Sequence, residues 1–538
     1  MSQAQTISDS ASIPKPLAHN DVADENDAIT MRAPKSTTKP LPAHLFYFMG
    51  VHFLIAFCEM ILVVPLMRLF EQSLCFSYYT IHDPSVIGHG GLIPEALCKI
   101  VEIQHDLATI RGWKSLLDII PVLLVAIPTG KLGDKYGRRK VLAGSLLGVM
   151  GSLVLIYTVC LFPKLFPLRL VYLGSIFLLF GGGLYTSAAL MWAMASEVCD
   201  DEQRSVLISG YVQCSFVLII EIRSRAYYYI FSAFYVAELV ASFLVTMTAE
   251  ISPWIPCGLA FGSLVVCMIL LASMPNSRKQ KSGSDHAVPE GASLINLVAD
   301  QDSQTSTKVE PTDLISLFSN TNILLSIPVF IVGTLRYTTL NVLIQYASIR
   351  FGWKISDGAA FYSETAIVNI ILYSLLVPRL VLVVRAKFNI RPQVMDMVLM
   401  RTCVCLMAAG ALILGFAPFD KMLYLGVFIF SAGFGSRVST LSFTSYMIPD
   451  NSKASFYAAV AILENIGHAL GDPAMQQILA AVMRGPKVWL ATPFFFVAGL
   501  YISAGIVTLF LRVEKDGNPK TRERQDNDGG HEYEPLLA

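Results

Sequence analysis

Charge is scarce in this sequence. Only 15% of its 538 residues are Asp, Glu, Lys or Arg, whereas 54% are hydrophobic. Soluble globular chains carry about a quarter charged residues, so a string of soluble domains is excluded. Walker, HExxH, CxxC, G-x-S-x-G and EF-hand patterns are absent as well. Without a Walker motif nothing supports ATP-driven work, and without the others an enzyme is not expected, nor a metal or a cofactor. No N-x-[ST] sequon occurs, so N-glycosylation is not expected.

What the chain has instead is long apolar stretches. They gather in blocks of roughly 20 residues, the length that crosses about 30 Å of hydrocarbon as helix. The blocks are 46–69, 113–129, 141–162, 168–194, 229–249, 254–274, 323–346, 359–384, 394–416, 422–446, 456–482 and 489–511. Their runs are continuous, with scattered Gly and Pro, whereas barrel strands would alternate with period two. The expected fold is an all-α membrane protein of twelve transmembrane helices in two six-helix halves, 44–274 and 316–512. A cytosolic linker, 275–315, would join them, between a disordered cytosolic tail at 1–43 and a second cytosolic tail at 513–538. The polar start argues against a cleavable signal peptide.

Between helices 2 and 3 lies GKLGDKYGRRK, Gly130 to Lys140, with five basic residues and one aspartate in eleven positions. Arg385, Lys387 and Arg391 follow helix 8, and SRKQK opens the linker. Short basic loops stay cytosolic, and with twelve spans these all fall on one side together with both termini. The eleven residues resemble the loop 2–3 signature of the major facilitator superfamily, G-x-L-A-D-x-x-G-R-(K/R), with Gly133 where Ala or Ser is usual. The resemblance covers residues 44–512. CFSYY after helix 1 and IPEALCKIVEIQHDLA before helix 2 further resemble a fungal subgroup, distantly similar to the proton-coupled folate and haem carrier branch.

The resemblance implies two halves rocking around a central site. Gly130 and Gly137 would allow close approach and a tight turn. Asp134, Arg138 and Arg139, with Glu197 at the end of helix 4, would then form charge pairs that hold one state closed. The plainer alternative is that the basic residues only set topology and bind anionic headgroups; topology needs no aspartate. The same resemblance places helices 1, 4, 7 and 10 around the cavity and 2, 5, 8 and 11 along its sides.

Charges inside spans mark pathways. Glu59 in helix 1, Glu238 in helix 5, Arg336 and Asn341 in helix 7, Arg437 in helix 10, and Glu464 and His468 in helix 11 are the candidates for handling protons or substrate. A carboxylate withdrawn from water takes up a proton more readily, which makes Glu59, Glu238 and Glu464 the candidate carriers and the arginines their counter-charges. Static alternatives exist for each: Glu238 locked to Arg336, Arg437 on backbone carbonyls, Glu464 and His468 satisfying each other one helical turn apart.

Cys75 and Cys98 both fall in the long outer connection 71–112, on the oxidising side, and are a candidate disulfide. Gly181, Gly182 and Gly183 read as close helix packing. Residues 206–228 read as a buried or interfacial insertion; the alternative is retained intron sequence, because Gly210-Tyr211-Val212 can be encoded with GGTATGT. Glu532, Leu536 and Leu537 fit an acidic dileucine sorting motif. The expected protein is a monomer in a lipid bilayer, plasma or vacuolar, whose partners are a small organic substrate and protons, without nucleic acid. Its expected work is proton-coupled efflux of a secondary metabolite or xenobiotic, the alternatives being proton-coupled nutrient or cofactor uptake and a transporter-like receptor.

Overall fold

In hydrocarbon a backbone must satisfy its own N–H and C=O groups. Every element among the described residues of the computed structural model is accordingly helical. Those residues are 43–88, 91, 93–198, 225–274, 320–388, 390–448 and 453–513. In the first half lie α1 (Ala43–His82), α2 (Val101–Tyr136), α3 (Arg138–Leu161), α4 (Leu168–Phe180, then Gly183–Val198), α5 (Arg225–Thr248) and α6 (Trp254–Ser273). In the second lie α7 (Thr321–Phe351), α8 (Ala359–Ile371, continuing to Phe388), α9 (Pro392–Phe416), α10 (Lys421–Ser445), α11 (Lys453–Val482) and α12 (Lys487–Leu509). Seven of these are long and apolar enough to cross a bilayer on length and composition alone. The others are broken or carry polar side chains such as Lys114, Asp118 and Glu464, yet cover the remaining apolar stretches.

Packing repeats between the halves. α1 packs on α5 and α6 as α7 packs on α11 and α12, and α3 packs on α4 and α6 as α9 packs on α10 and α12. The halves meet where α2 lies along α11 and where α5 lies along α8. Exchanging each helix for its counterpart six places on turns one seam into the other, as a two-fold repeat requires.

Three helices are broken near their middles, and each break is stabilised by side chains. In α4, Gly181, Gly182 and Gly183 have φ of 152°, 83° and 71°. A Cβ on Gly181 would come within 2.6 Å of the Ser145 backbone. Only glycine permits both the turn and that approach. Ser145 Oγ sits 3.0 Å from the carbonyls of Gly181 and Gly183. α7 breaks at Thr334 and α10 between Ser431 and Ser436. Tyr373 of α8 fills the latter break: its hydroxyl donates to the Ala432 carbonyl and accepts from the Gly435 N–H, both at 2.6 Å. Tyr373 itself sits in a π-turn, Leu372–Leu376.

One expectation is corrected here. The connection 71–112 is not a long loop. α1 runs on to His82 and α2 begins at Val101. At 40 residues α1 is about 60 Å long, twice the hydrocarbon thickness. Polar residues in the extensions stopped the apolar runs without stopping the helices, because they bond one another. This end is called the disulfide end below, since a disulfide joins Cys75 on α1 to Cys98, with Cα atoms 5.3 Å apart. The opposite end carries the 130–140 hairpin. Residues 1–42 of the N-terminal tail, the linker, residues 206–224 of the proposed insertion, and residues 514–538 with the dileucine residues Glu532, Leu536 and Leu537 lie outside the described residues.

Candidate functional site

Polar side chains converge midway along the bundle, where both seams and the breaks of α7 and α10 come together. Glu238 on α5 is wholly buried. Its Oε2 accepts from the Tyr337 hydroxyl of α7 at 3.3 Å, and its Oε1 has no hydrogen-bond partner among the described residues. The contact crosses between the halves. Tyr337 lies parallel to Tyr362 of α8, with ring centroids 6.3 Å apart, and edge-on to Phe434 of α10. Tyr362 in turn donates to Asn341 Oδ1 at 2.9 Å.

Arg336 does not lock onto Glu238 by a direct bond. Its guanidinium sits about 5.5 Å from the Tyr337 and Phe434 ring centroids, within cation–π range. It also donates to the Phe434 carbonyl at 3.3 Å, a group freed by the break in α10. The broken helix and the arginine therefore explain each other.

The C-terminal half holds its own charges differently. Arg437 of α10 grips Glu464 of α11 with two nitrogens on two oxygens, Nη2 to Oε2 at 2.9 Å. Of the static alternatives, Arg437 on backbone carbonyls and Glu464 on His468, the structure instead joins Arg437 to Glu464. His468 lies instead 3.7 Å from Asp472, one turn on, and Asp472 accepts from Thr338 of α7. Glu59 of α1 is half-buried and within electrostatic reach of both His468 and Glu238.

Arg111 of α2 escaped the sequence reading because the second apolar stretch starts at 113. Carried back at helical period, that stretch would have included Gln104 and Arg111. Arg111 donates to Gln345 of α7 at 3.3 Å, and Gln345 donates to the Gln104 carbonyl at 2.9 Å. Both bonds tie the halves together toward the disulfide end. Among the described residues no three His, Cys, Asp or Glu side chains come together as a metal would need.

The hairpin is a tight turn. Gly137, at φ 95°, closes α2 onto α3, with its N–H on the Gly133 carbonyl at 2.9 Å. Gly130 has open space where a side chain would project. Arg139 donates to the carbonyls of Ala272 and Met274, satisfying the last turn of α6, whose carbonyls have no partner within the helix. Arg138 has partners within the protein. Asp134 lies in α2 and Glu197 in α4, but their side chains are outside the described ones. A separate cavity of about 600 Å³ opens at the disulfide end, between α1, α2 and the start of α4, lined by Asp106, Trp113, Arg169 and Tyr172 among others. None of its lining residues belongs to the buried cluster.

Comparison with known proteins matches this geometry to a fold. The D-xylose–proton symporter crystal structure superposes with a TM-score of 0.56 at 12% identity, covering 88% of this chain and all of that one. The nucleoside transporter NupG gives 0.54 at 13% identity. In sequence, the MFS efflux pump atnC of Emericella nidulans is 28% identical over 463 residues, 85% of this chain and 86% of that protein. The efflux pump ustT of Aspergillus flavus is 26% identical over 78% of each chain. The profile of the Major Facilitator Superfamily matches residues 100–471. The chain belongs to the major facilitator superfamily, as a multi-pass membrane transporter of its fungal branch.

Proposed function

We propose that this transporter exports a small amphipathic organic solute, a secondary metabolite or xenobiotic, in exchange for protons taken up at Glu238. The observation that carries the reading is Glu238 itself: a wholly buried carboxyl, bonded through one oxygen to a tyrosine of the other half, with the second oxygen unpartnered among the described residues. Such a group changes its interactions whenever the halves move relative to each other, and burying it charged without a direct counter-ion is unfavourable. It is therefore stable with a proton and released from it when the site meets water. The aromatic wall of Tyr337, Tyr362 and Phe434 suits a flat or apolar cargo. Arg336, above two of those rings, adds an anchor for an acceptor group.

Glu59 and His468 are the second place where a proton could rest, and Glu464 is ranked below them because Arg437 neutralises it. Asn341 orients Tyr362. In this reading the 130–140 hairpin is the cytosolic gate, with Asp134, Arg138 and Glu197 as its switching charges, and both termini are cytosolic. The protein works as a monomer in the plasma or vacuolar membrane, and the dileucine motif favours the vacuolar route. Efflux is preferred to uptake because two relatives that align along most of their length are named efflux pumps.

Untargeted profiling of cells and medium, wild type against a deletion strain, tests the direction. A compound that accumulates in deleted cells and vanishes from the medium is the expected outcome and names the cargo. A compound left unconsumed in the medium would replace export by uptake.

A further inference from the structure

At the disulfide end the two α1–α2 extensions bury a second charge cluster that the central site does not use. Glu71, with no exposed surface, takes Arg68, Lys99 at 2.7 Å and Gln104 at 2.6 Å. Glu95 takes Lys99 at 2.8 Å and Arg68 Nε at 3.3 Å. All of these belong to the first half. Glu95 has one bond that does not: its Oε1 accepts the backbone N–H of Ile355, in the second half, at 2.8 Å.

Ile355 opens the short helical turn Ile355–Gly358 that leads into α8. First-turn N–H groups have no partner inside a helix, so this donor depends on what the other half presents. Glu95 lies three residues before Cys98, whose disulfide to Cys75 ties this stretch to α1. Gln104 adds a bond to the Cys98 carbonyl at 3.0 Å. The nearby Lys354–Glu250 pair also crosses the halves, at 2.8 Å, but both side chains are more than half exposed, and such pairs contribute little. Burial alone pushes the Glu95 carboxyl up, yet Lys99 and Arg68 outweigh it and hold it below the usual carboxylate range. The acceptor is ionised, and charge-assisted bonds are the stronger kind.

We infer that Glu95 is a latch between the two halves at the disulfide end, held in register by the Cys75–Cys98 bond and released when that end opens. It is a positioning residue, touching no cargo. The inference rests on the transport reading for its purpose, since only a transporter must open this end. It also makes the disulfide part of the transport cycle: reduction frees the Glu95 stretch from α1 and loosens the latch without touching the central site.

Hydrogen exchange of the full-length protein in lipid nanodiscs, read by mass spectrometry on the peptide covering 352–358, tests it without any cargo. Glu95→Ala removes the acceptor, and exchange in that peptide is expected to quicken by roughly ten-fold. Glu95→Gln, which keeps an oxygen but loses the charge, is expected to fall between. Reducing the wild-type protein is expected to quicken the same peptide, with reversal on reoxidation, and needs no variant to fold. Unchanged exchange at 352–358 in both Glu95→Ala and reduced protein overturns the latch, and so does quickening spread evenly over the chain. A cargo found to be imported would leave these results as they are, so failure of the export reading and failure of the latch are told apart.

Discussion

α5 and α11 hold equivalent places in the two halves, and each carries a glutamate midway along its length. Glu464 on α11 is gripped by both ends of the Arg437 guanidinium. Glu238 on α5 is buried more deeply and has a tyrosine hydroxyl where its counterpart has an arginine. An arginine held against a carboxylate compensates its charge, whereas a carboxylate buried without a direct counter-ion is costly to keep charged. The two-fold repeat places a glutamate on each of two equivalent helices, and in the proposed reading the neighbour decides which of them exchanges protons.

The largest effect is expected from removing the exchangeable group. Glu238→Gln should abolish export driven by a pH gradient in proteoliposomes while the protein still inserts and folds. Glu464→Gln should retain measurable pH-driven export, because Glu464 is engaged by Arg437. Next comes the pair itself. Arg437→Ala strands Glu464 without its partner and should lower stability by about 3 kcal/mol, read as a drop in melting temperature in detergent. The double change Arg437→Gln with Glu464→Gln should recover most of that loss, since no charge is then left stranded. The smallest effect is expected at Tyr337→Phe, which deletes one hydrogen bond of about 1 kcal/mol. It should shift the pH profile of export without abolishing it, and an unshifted profile would remove Tyr337 from the account.

The fold was legible because apolar length is a one-dimensional property: each of the twelve stretches coincides with a helix, and the hairpin motif pointed to the family. The α1 and α2 extensions were not legible. Glu71, Glu95, Lys99 and Gln104 look like water-facing residues along the chain, and only in three dimensions do they bury one another. The identities of the midspan charges were readable too, but not their partners. Whether Glu464 meets Arg437 or His468 depends on how α10 and α11 are rotated, and no periodicity fixes that rotation. The breaks in α7 and α10 were hidden for a related reason: their sequences hold no proline at the break, and the carbonyls freed in α10 are met by Tyr373 and Arg336 from other helices.

Infrared difference spectroscopy of the purified protein during a pH titration tests the proton site most directly, because a protonated carboxyl has its own C=O band. The account predicts a titrating band that is present in wild type and in Glu464→Gln and absent from Glu238→Gln. A titrating spectrum that Glu238→Gln leaves unchanged, or a component that disappears with Glu464→Gln instead, would contradict it.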